Sequence, residues 1–129
     1  MAKSAAFGTV LNMGAGLVQV ETATISGEVT NPGDATVIIT STGMTGSPLS
    51  LTIALANGLP AVSAAAIRLY LQTNAAAAAV RAMFAISGAT DKVILTRLIP
   101  MADIANLNIS VAQGTTTGLN TDTSSDATQ

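Results

Sequence analysis

The sequence predicts an α+β fold: an antiparallel β-sheet or sandwich with one main helix packed on it, in the order β-β-β-β-α-β-β. Three observations predict it. Several stretches alternate apolar and polar residues with the period of a strand, and one segment beginning at Pro60 repeats its apolar residues at helical spacing. Turns rich in glycine and proline separate these segments. Strands, then a helix, then strands again are typical of an antiparallel sheet with a helix on one face or edge.

The first three predicted strands lie before residue 43. The first runs from about Phe7 to Met13 and ends at a Gly14-Ala15-Gly16 turn, which makes it the start of an N-terminal hairpin. The second, LVQVETATISGEV, is rich in valine and threonine, and Gly27 predicts a bend or bulge in it. Asn31-Pro32-Gly33-Asp34 predicts a type II turn in which Gly33 has a positive φ, and ATVIITST is the third strand.

The fourth strand is the most regular in the chain. Leu49, Leu51, Ile53 and Leu55 alternate with small or polar residues until Asn57-Gly58 ends the run. The connection GMTGSP precedes it, and two strands joined by such a turn cluster predict an antiparallel hairpin. This connection lacks the lysine and the following helix of a phosphate-binding loop, so we interpret it as a structural turn.

The helix is predicted from about Pro60 to Gln72, because proline is suited to the first helical turn. Val62, Ala66 and Leu69 recur at helical spacing and form the stripe that we expect to pack on the sheet. Further apolar residues lie outside this stripe, so the helix is apolar around much of its girth. A helix of that kind is often covered on two sides.

A subunit interface is therefore expected on the second apolar side of the helix and on the regular strand. We predict that one face packs on the chain's own sheet and that the other is exposed or shared with another copy. The candidate interface residues are Ile67, Leu71, Arg68, Leu49 and Leu51.

The second half of the chain returns to strands. Asn74 is a candidate cap for a short helix through the alanine run, and FAISG and KVILTRL follow as strands. In NLNISVA, Leu107, Ile109 and Val111 are predicted to point inward. The composition changes after Gly114, which divides the chain into a β-rich domain at 1–114 and a flexible or extended Thr/Ser-rich tail at 115–129.

Composition argues against an enzyme. The 129 residues include no histidine and no cysteine, which removes the usual proton shuttle and the thiolate ligands, and no catalytic, cofactor or metal site is predicted. The isolated carboxylates Asp91 and Asp103 are interpreted as solvated loop residues. For Glu21 in the second strand, a cross-strand partner such as Arg97 or Lys92 is expected.

Charge and hydropathy also restrict the partners. Five basic residues and a net charge of −2 give no electrostatic footprint for sequence-specific nucleic acid binding. The longest strongly apolar run is too short for a membrane span, and the opening MAKSAAFGTVLNMG is too broken for a signal peptide. Only 9% of residues are charged, which predicts a surface covered by other copies or other proteins.

Residues 18–118 resemble bacteriophage virion proteins. The resemblance lies in VQVETATISGEV, DATVIITSTGMTGSPLSLTIAL, AAAIRLYL and MFAISGATDKVILTRLIPMADIANLNISVAQGTTTGL. The opening AAFGTVLNMGAGLVQVETATISGE also resembles the start of tail tube proteins of long-tailed phages. The resemblance implies a homo-oligomeric structural protein of the virion, made in the host cytoplasm, whose partners are its own copies and other phage proteins.

Three roles stay open at this point. The first is a tail tube subunit, stacked as rings around a DNA channel, although the chain is short for one and shows no long loop for reaching neighbours. The second is a capsid decoration or cement protein. The third is a small adhesive or carbohydrate-binding β-domain, which the scarcity of aromatic residues disfavours.

Overall fold

Two antiparallel sheets face each other, and a helix fills the gap between them on one side. The computed structural model describes residues 18–121 and 125–127. The strands are β1 (Val20–Ser26), β2 (Gly33–Thr40), β3 (Leu49–Leu55), β4 (Phe84–Ser87), β5 (Lys92–Arg97), β6 (Asn108–Gln113), β7 (Asn120–Thr121) and β8 (Ser125–Ala127). The helices are α1 (Pro60–Thr73) and α2 (Ala78–Met83), with a 3₁₀ turn at Ala75–Ala77 between them. The predicted α+β class is confirmed.

Sheet I contains β4, β5 and β1 in that order, and both β7 and β8 pair with the far edge of β1. Their registers place Ser26 opposite Asn120 and Val20 opposite Ala127, so the two short strands together follow most of that edge. Sheet II has the order β3-β2-β6. The predicted hairpin through the GMTGSP turn is confirmed as the β2–β3 pair, and Met44 within that turn is buried.

The core follows the period-two pattern of the strands. Leu51, Ile53 and Leu55 of β3 are buried, while the residues between them are exposed. The inward set predicted for β6 and the residue before it, Leu107, Ile109 and Val111, is buried as expected. Alternate side chains of a strand point to opposite faces of its sheet, so each regular strand contributes one face to the core.

The predicted type II turn at Asn31–Asp34 is wrong. Gly33 has no positive φ and instead begins β2, while the positive φ (82°) occurs at Gly27, where β1 ends. A Cβ atom on Gly27 would lie only 2.5 Å from the carbonyl oxygen of Gly118, so the chain needs glycine there to pass its own C-terminal segment. The bend predicted at Gly27 is confirmed, and it sends the chain from sheet I to sheet II.

Helix α1 begins at Pro60 as predicted, but its faces are the reverse of those predicted. Ser63, Ala64, Ile67 and Leu71 are buried, whereas Val62 and Leu69 are exposed. The buried face contacts β1, β4 and β5 of sheet I and β3 of sheet II. The buried residues near the start of the helix, Ser63 and Ala64, have small side chains, and the larger Ile67 and Leu71 follow them.

The alanine run forms two short helical turns, and Asn74 caps the first of them as predicted. Its side-chain oxygen accepts a hydrogen bond from the Ala76 amide at 2.9 Å. Arg81 then donates to the carbonyl oxygens of Leu71 and Asn74, at 2.7 and 2.9 Å, and so satisfies the end of α1.

The segment after Gly114 contacts the rest of the chain. Thr116 and Leu119 are buried, and the Thr116 amide donates to the Asp34 carbonyl at 3.2 Å. Of the two descriptions left open for residues 115–129, the structure has extended backbone at β7 and β8. The strand predicted at Phe7–Met13 and the turn at Gly14–Gly16 lie outside the described residues.

Candidate functional site

The outer edge of β3 has no strand partner among the described residues. The register pairs Gly33, Ala35 and Val37 of β2 with Leu55, Ile53 and Leu51 of β3. Asp34 directs both its amide and its carbonyl away from β3, because its amide donates to the Thr115 hydroxyl and its carbonyl accepts from the Gly114 amide. The backbone N–H and C=O groups of successive residues point to opposite sides of a strand. The backbone hydrogen bonds between β2 and β3 are therefore made by their odd-numbered residues.

The even-numbered residues of β3 consequently direct their backbone groups outward. They are Ser50, Thr52 and Ala54, and within the described part of the chain no strand pairs with that side of β3. Each carries one N–H donor and one C=O acceptor that only solvent or another chain segment can satisfy.

The outer edges of β4 and β6 likewise have no strand partner among the described residues. The Ile86 carbonyl at the edge of β4 accepts a hydrogen bond from Gln72 of α1 at 3.1 Å. Strand β6 packs against β1 and β7. With seven residues, β3 is the longest of these three edge strands.

The sequence of β3 lacks the charged residues and the proline that often keep edge strands from pairing. Residues Leu49–Leu55 include no charged residue and no proline. Natural proteins commonly protect an edge strand with lysine, proline, a bulge or a covering loop. An uncharged open edge of this length is suited to pairing with another strand.

An apolar stripe on α1 runs beside this edge. Leu59, Val62 and Leu69 are 61%, 44% and 60% exposed, and the latter two lie on one face of the helix. An open cleft of about 480 Å³ separates that face from the hairpin of sheet II. Its lining residues include Thr52, Ile53 and Ala54 on the β3 side and Ala66, Leu69 and Tyr70 on the α1 side.

A second apolar patch lies in the loop after β5. Leu98, Ile99 and Met101 are each more than half exposed. A cavity of about 120 Å³ opens beside Leu98 and Ile99 and reaches Met83 of α2. The Arg97 guanidinium donates to the Met101 sulfur at 3.2 Å and so positions this loop.

Most of the predicted interface residues serve the chain's own fold. Ile67, Leu71 and Leu51 are buried in the core, and Leu49 is partly buried. Arg68 donates from one guanidinium nitrogen to the carbonyl oxygens of Thr90 and Lys92, which fastens the β4–β5 turn to α1. Val62 and Leu69, which the sequence predicts to pack on the sheet, are exposed instead. The spacing of Ser63, Ala64, Ile67 and Leu71 also fits one helix face, and it was the signal that could have identified the buried side.

Few charged groups lie near this surface. Lys92 is 3.4 Å from its neighbour Asp91, a different pair from the one expected for Glu21, whose side chain is buried in β1. Desolvation opposes ionisation of Asp91, yet hydrogen bonds from the Thr90 hydroxyl, its own backbone and Lys92 outweigh it and lower the pKa of that carboxyl. Asp34 is the one carboxylate that lines the cleft beside β3.

The described residues hold no group of three or more acidic residues placed to bind a metal ion. No helix in the same part of the chain has the length and hydropathy needed to cross a bilayer. Comparison with protein-family models, with curated proteins and with solved structures finds no match to this chain.

Proposed function

We propose that this protein is a non-enzymatic structural subunit of a bacteriophage particle, that it assembles with copies of itself, and that it forms the tail tube. The observation that carries the proposal is the open, uncharged edge of β3 beside the exposed apolar stripe of α1. Together they offer backbone hydrogen bonds and apolar area on one surface, which is the chemistry of strand addition between protein chains.

The scarcity of charge supports the same conclusion. Charged residues make up 9% of the chain, well under the roughly 25% of ordinary soluble domains. Burying unpaired charge between subunits costs several kcal/mol, on the order of the values known for buried ions. A subunit with neutral faces avoids that cost each time a copy is added.

The tube is favoured over other places in the particle by the resemblance of the N-terminal sequence and by the sign of the charge. A lumen that conducts DNA should not bind phosphates, because fixed basic groups would retard passage. The net charge of −2 agrees with such a lumen.

The test is to locate the chain in a reconstructed phage particle that carries its gene. Density in stacked rings along the tail is the expected result. Density on the outer capsid surface would overturn the tube assignment and favour a decoration protein. Production of the protein by uninfected cells without a prophage would overturn the virion assignment itself.

A further inference from the structure

Exposed large apolar side chains form two separate groups among the described residues. The first group lies on α1 and the second in the loop after β5: Leu59, Val62 and Leu69, and then Leu98, Ile99 and Met101. The residues that line the cleft beside α1 and those that line the cavity beside the loop do not overlap. The described part of the chain therefore carries two distinct exposed apolar surfaces.

The first surface is concave. The cleft between β3 and α1 has a volume of about 480 Å³, within the range of about 300–1,000 Å³ that is typical of ligand clefts. Leu69 is 60% exposed on its α1 side, and the backbone groups of Thr52 and Ala54 face outward on its β3 side. Asp34 is the one charged residue that lines the cleft. A segment with an apolar side chain, free backbone groups and a positive charge nearby is complementary to this surface.

The second surface has those complementary properties. Leu98 and Ile99 are 53% and 62% exposed, and Arg97 comes directly before them. The backbone of Ile99 makes no hydrogen bond within the described part of the chain, and Pro100 favours an extended conformation at Ile99. The Arg97 guanidinium donates once to the Met101 sulfur, which leaves further N–H groups for a carboxylate.

We propose that residues 98–101 of one copy bind in the cleft between β3 and α1 of a second copy. The segment lies along the edge of β3 as a short strand, and the Ile99 side chain covers Leu69. In that position the Ile99 backbone bonds to the outward N–H and C=O groups of Thr52. This inference rests on the proposed function, since it names the contact through which copies assemble.

The register of this contact brings opposite charges together. We place Ile99 opposite Thr52 in antiparallel orientation. Arg97 then comes level with Ala54, whose partner in β2 is Asp34. Because the alanine side chain is short, the long Arg97 side chain reaches across it to the Asp34 carboxylate.

The occupant of the cleft is a second copy, bound head to tail. The Leu98 amide donates to the Met83 carbonyl at 3.0 Å, which holds the loop beside α2, and α2 contributes no residue to the cleft. The loop therefore cannot fill the cleft of its own copy. Two clefts in contact would bring like charges of Asp34 together, and two loops those of Arg97, so charge favours the contact of loop with cleft.

The contact joins two different surfaces, so each copy both donates a loop and accepts one. A contact of this kind produces a ring or an open filament and not a closed two-fold dimer.

The test uses two single variants of the full chain at exposed positions. Leu69→Asp places a charge in the cleft, and Ile99→Asp places one in the loop that enters it. Sedimentation and light scattering should show that the unchanged chain forms large assemblies and that each variant alone is monomeric. An equimolar mixture of the two should form a heterodimer and nothing larger, because the loop of one variant and the cleft of the other remain intact.

Matched controls are Leu69→Met and Ile99→Val, which keep an apolar side chain and should assemble like the unchanged chain. Both aspartate variants should retain the far-UV circular dichroism of the unchanged chain, since neither position is buried. Assembly by either aspartate variant alone would overturn the inference while self-assembly stands, and so would monomers or large assemblies in the mixture. If the unchanged chain itself is monomeric at every concentration, self-assembly and with it the proposed function fail.

Charge reversal tests the register independently of the apolar contact. Asp34→Arg or Arg97→Asp alone should raise the concentration needed for assembly at least about tenfold, because like charges then meet in the contact. The variant that carries both changes should assemble like the unchanged chain, since the pair is restored with its signs exchanged. An equal loss of assembly in this double variant would contradict the inference.

Discussion

Replacing Ile67 by alanine should destabilise the protein strongly, whereas the same change at Leu69 should not. Ile67 is fully buried between the sheets, and Leu69 is 60% exposed on the opposite side of α1. The two residues lie two positions apart on one helix and lose similar numbers of carbon atoms, so they form a matched pair.

The magnitudes follow from burial. The isoleucine variant loses three buried carbons, about 2.4 kcal/mol of transfer free energy at about 0.8 per methylene. The cavity adds to this, so about 3 to 4 kcal/mol is expected, within the known range for such changes. Only about two fifths of the Leu69 side chain is buried, so less apolar area is lost when it is cut back to alanine. The free energy of unfolding should therefore fall by no more than about 1 kcal/mol.

Urea unfolding followed by far-UV circular dichroism measures both values, since the chain has no tryptophan and a single tyrosine for fluorescence. With a slope of about 1.5 kcal/mol per molar urea, the midpoint should fall by about 2 M for Ile67→Ala and by less than about 0.7 M for Leu69→Ala. Equal shifts in the two variants, or a larger shift for Leu69→Ala, would refute the assignment of the helix faces.

Three further changes test other parts of the structure. Ser63→Ala should stabilise the chain by about 0.5 to 1 kcal/mol in urea unfolding, because the buried Ser63 hydroxyl has no hydrogen-bond partner among the described residues and alanine favours helix; a lower midpoint would contradict this. Gly88→Ala should cost at least about 1 kcal/mol, because Gly88 has a φ of 135° and a Cβ there would collide with the Lys92 carbonyl; an unchanged midpoint would contradict it. The pKa of Asp91 is lower in the folded protein than in the unfolded chain, so its ionised carboxylate adds to the free energy of unfolding. This stabilisation is complete above the ordinary aspartate pKa of about 3.9 and is lost as pH falls through the folded pKa. Thermal unfolding between pH 6 and about pH 3 should therefore show a steeper loss for the unchanged chain than for Asp91→Asn, and parallel curves would count against it.

The strands and the main helix could be predicted from the sequence because each has a local cause. Leu51, Ile53 and Leu55 are separated by small or polar residues. This alternation puts all three leucine and isoleucine side chains on one face of a strand, whichever sheet the strand joins. Pro60 begins α1 and Asn74 caps the helical turn that follows it, and both act through local backbone chemistry that depends little on tertiary structure.

The faces of α1 could not be decided in the same way. A helix that is apolar on most sides offers several equivalent stripes, and only the space between the two sheets selects the one with Ser63 and Ala64. The prediction of a type II turn with Gly33 is wrong for a related reason. Its residues permit a type II turn, but the close passage of Gly27 and Gly118, which are distant in sequence, places the bend earlier.

The candidate site was harder still to predict. Which edge of a sheet remains open depends on strand order, and the order β3-β2-β6 does not follow from the pattern of any one strand. The sequence identified Leu49 and Leu51 as interface residues through their regularity. In the structure, the backbone groups that face the open edge belong instead to the alternate residues of the same strand, Ser50, Thr52 and Ala54.

A reconstruction of the assembled protein at a resolution that separates strands decides whether copies pair through β3, because it shows what lies beside β3 in every copy. We expect a strand from a neighbouring copy at about 4.8 Å from β3, alongside Ser50, Thr52 and Ala54. Copies joined through other surfaces, with the edge of β3 exposed to solvent throughout, would contradict it.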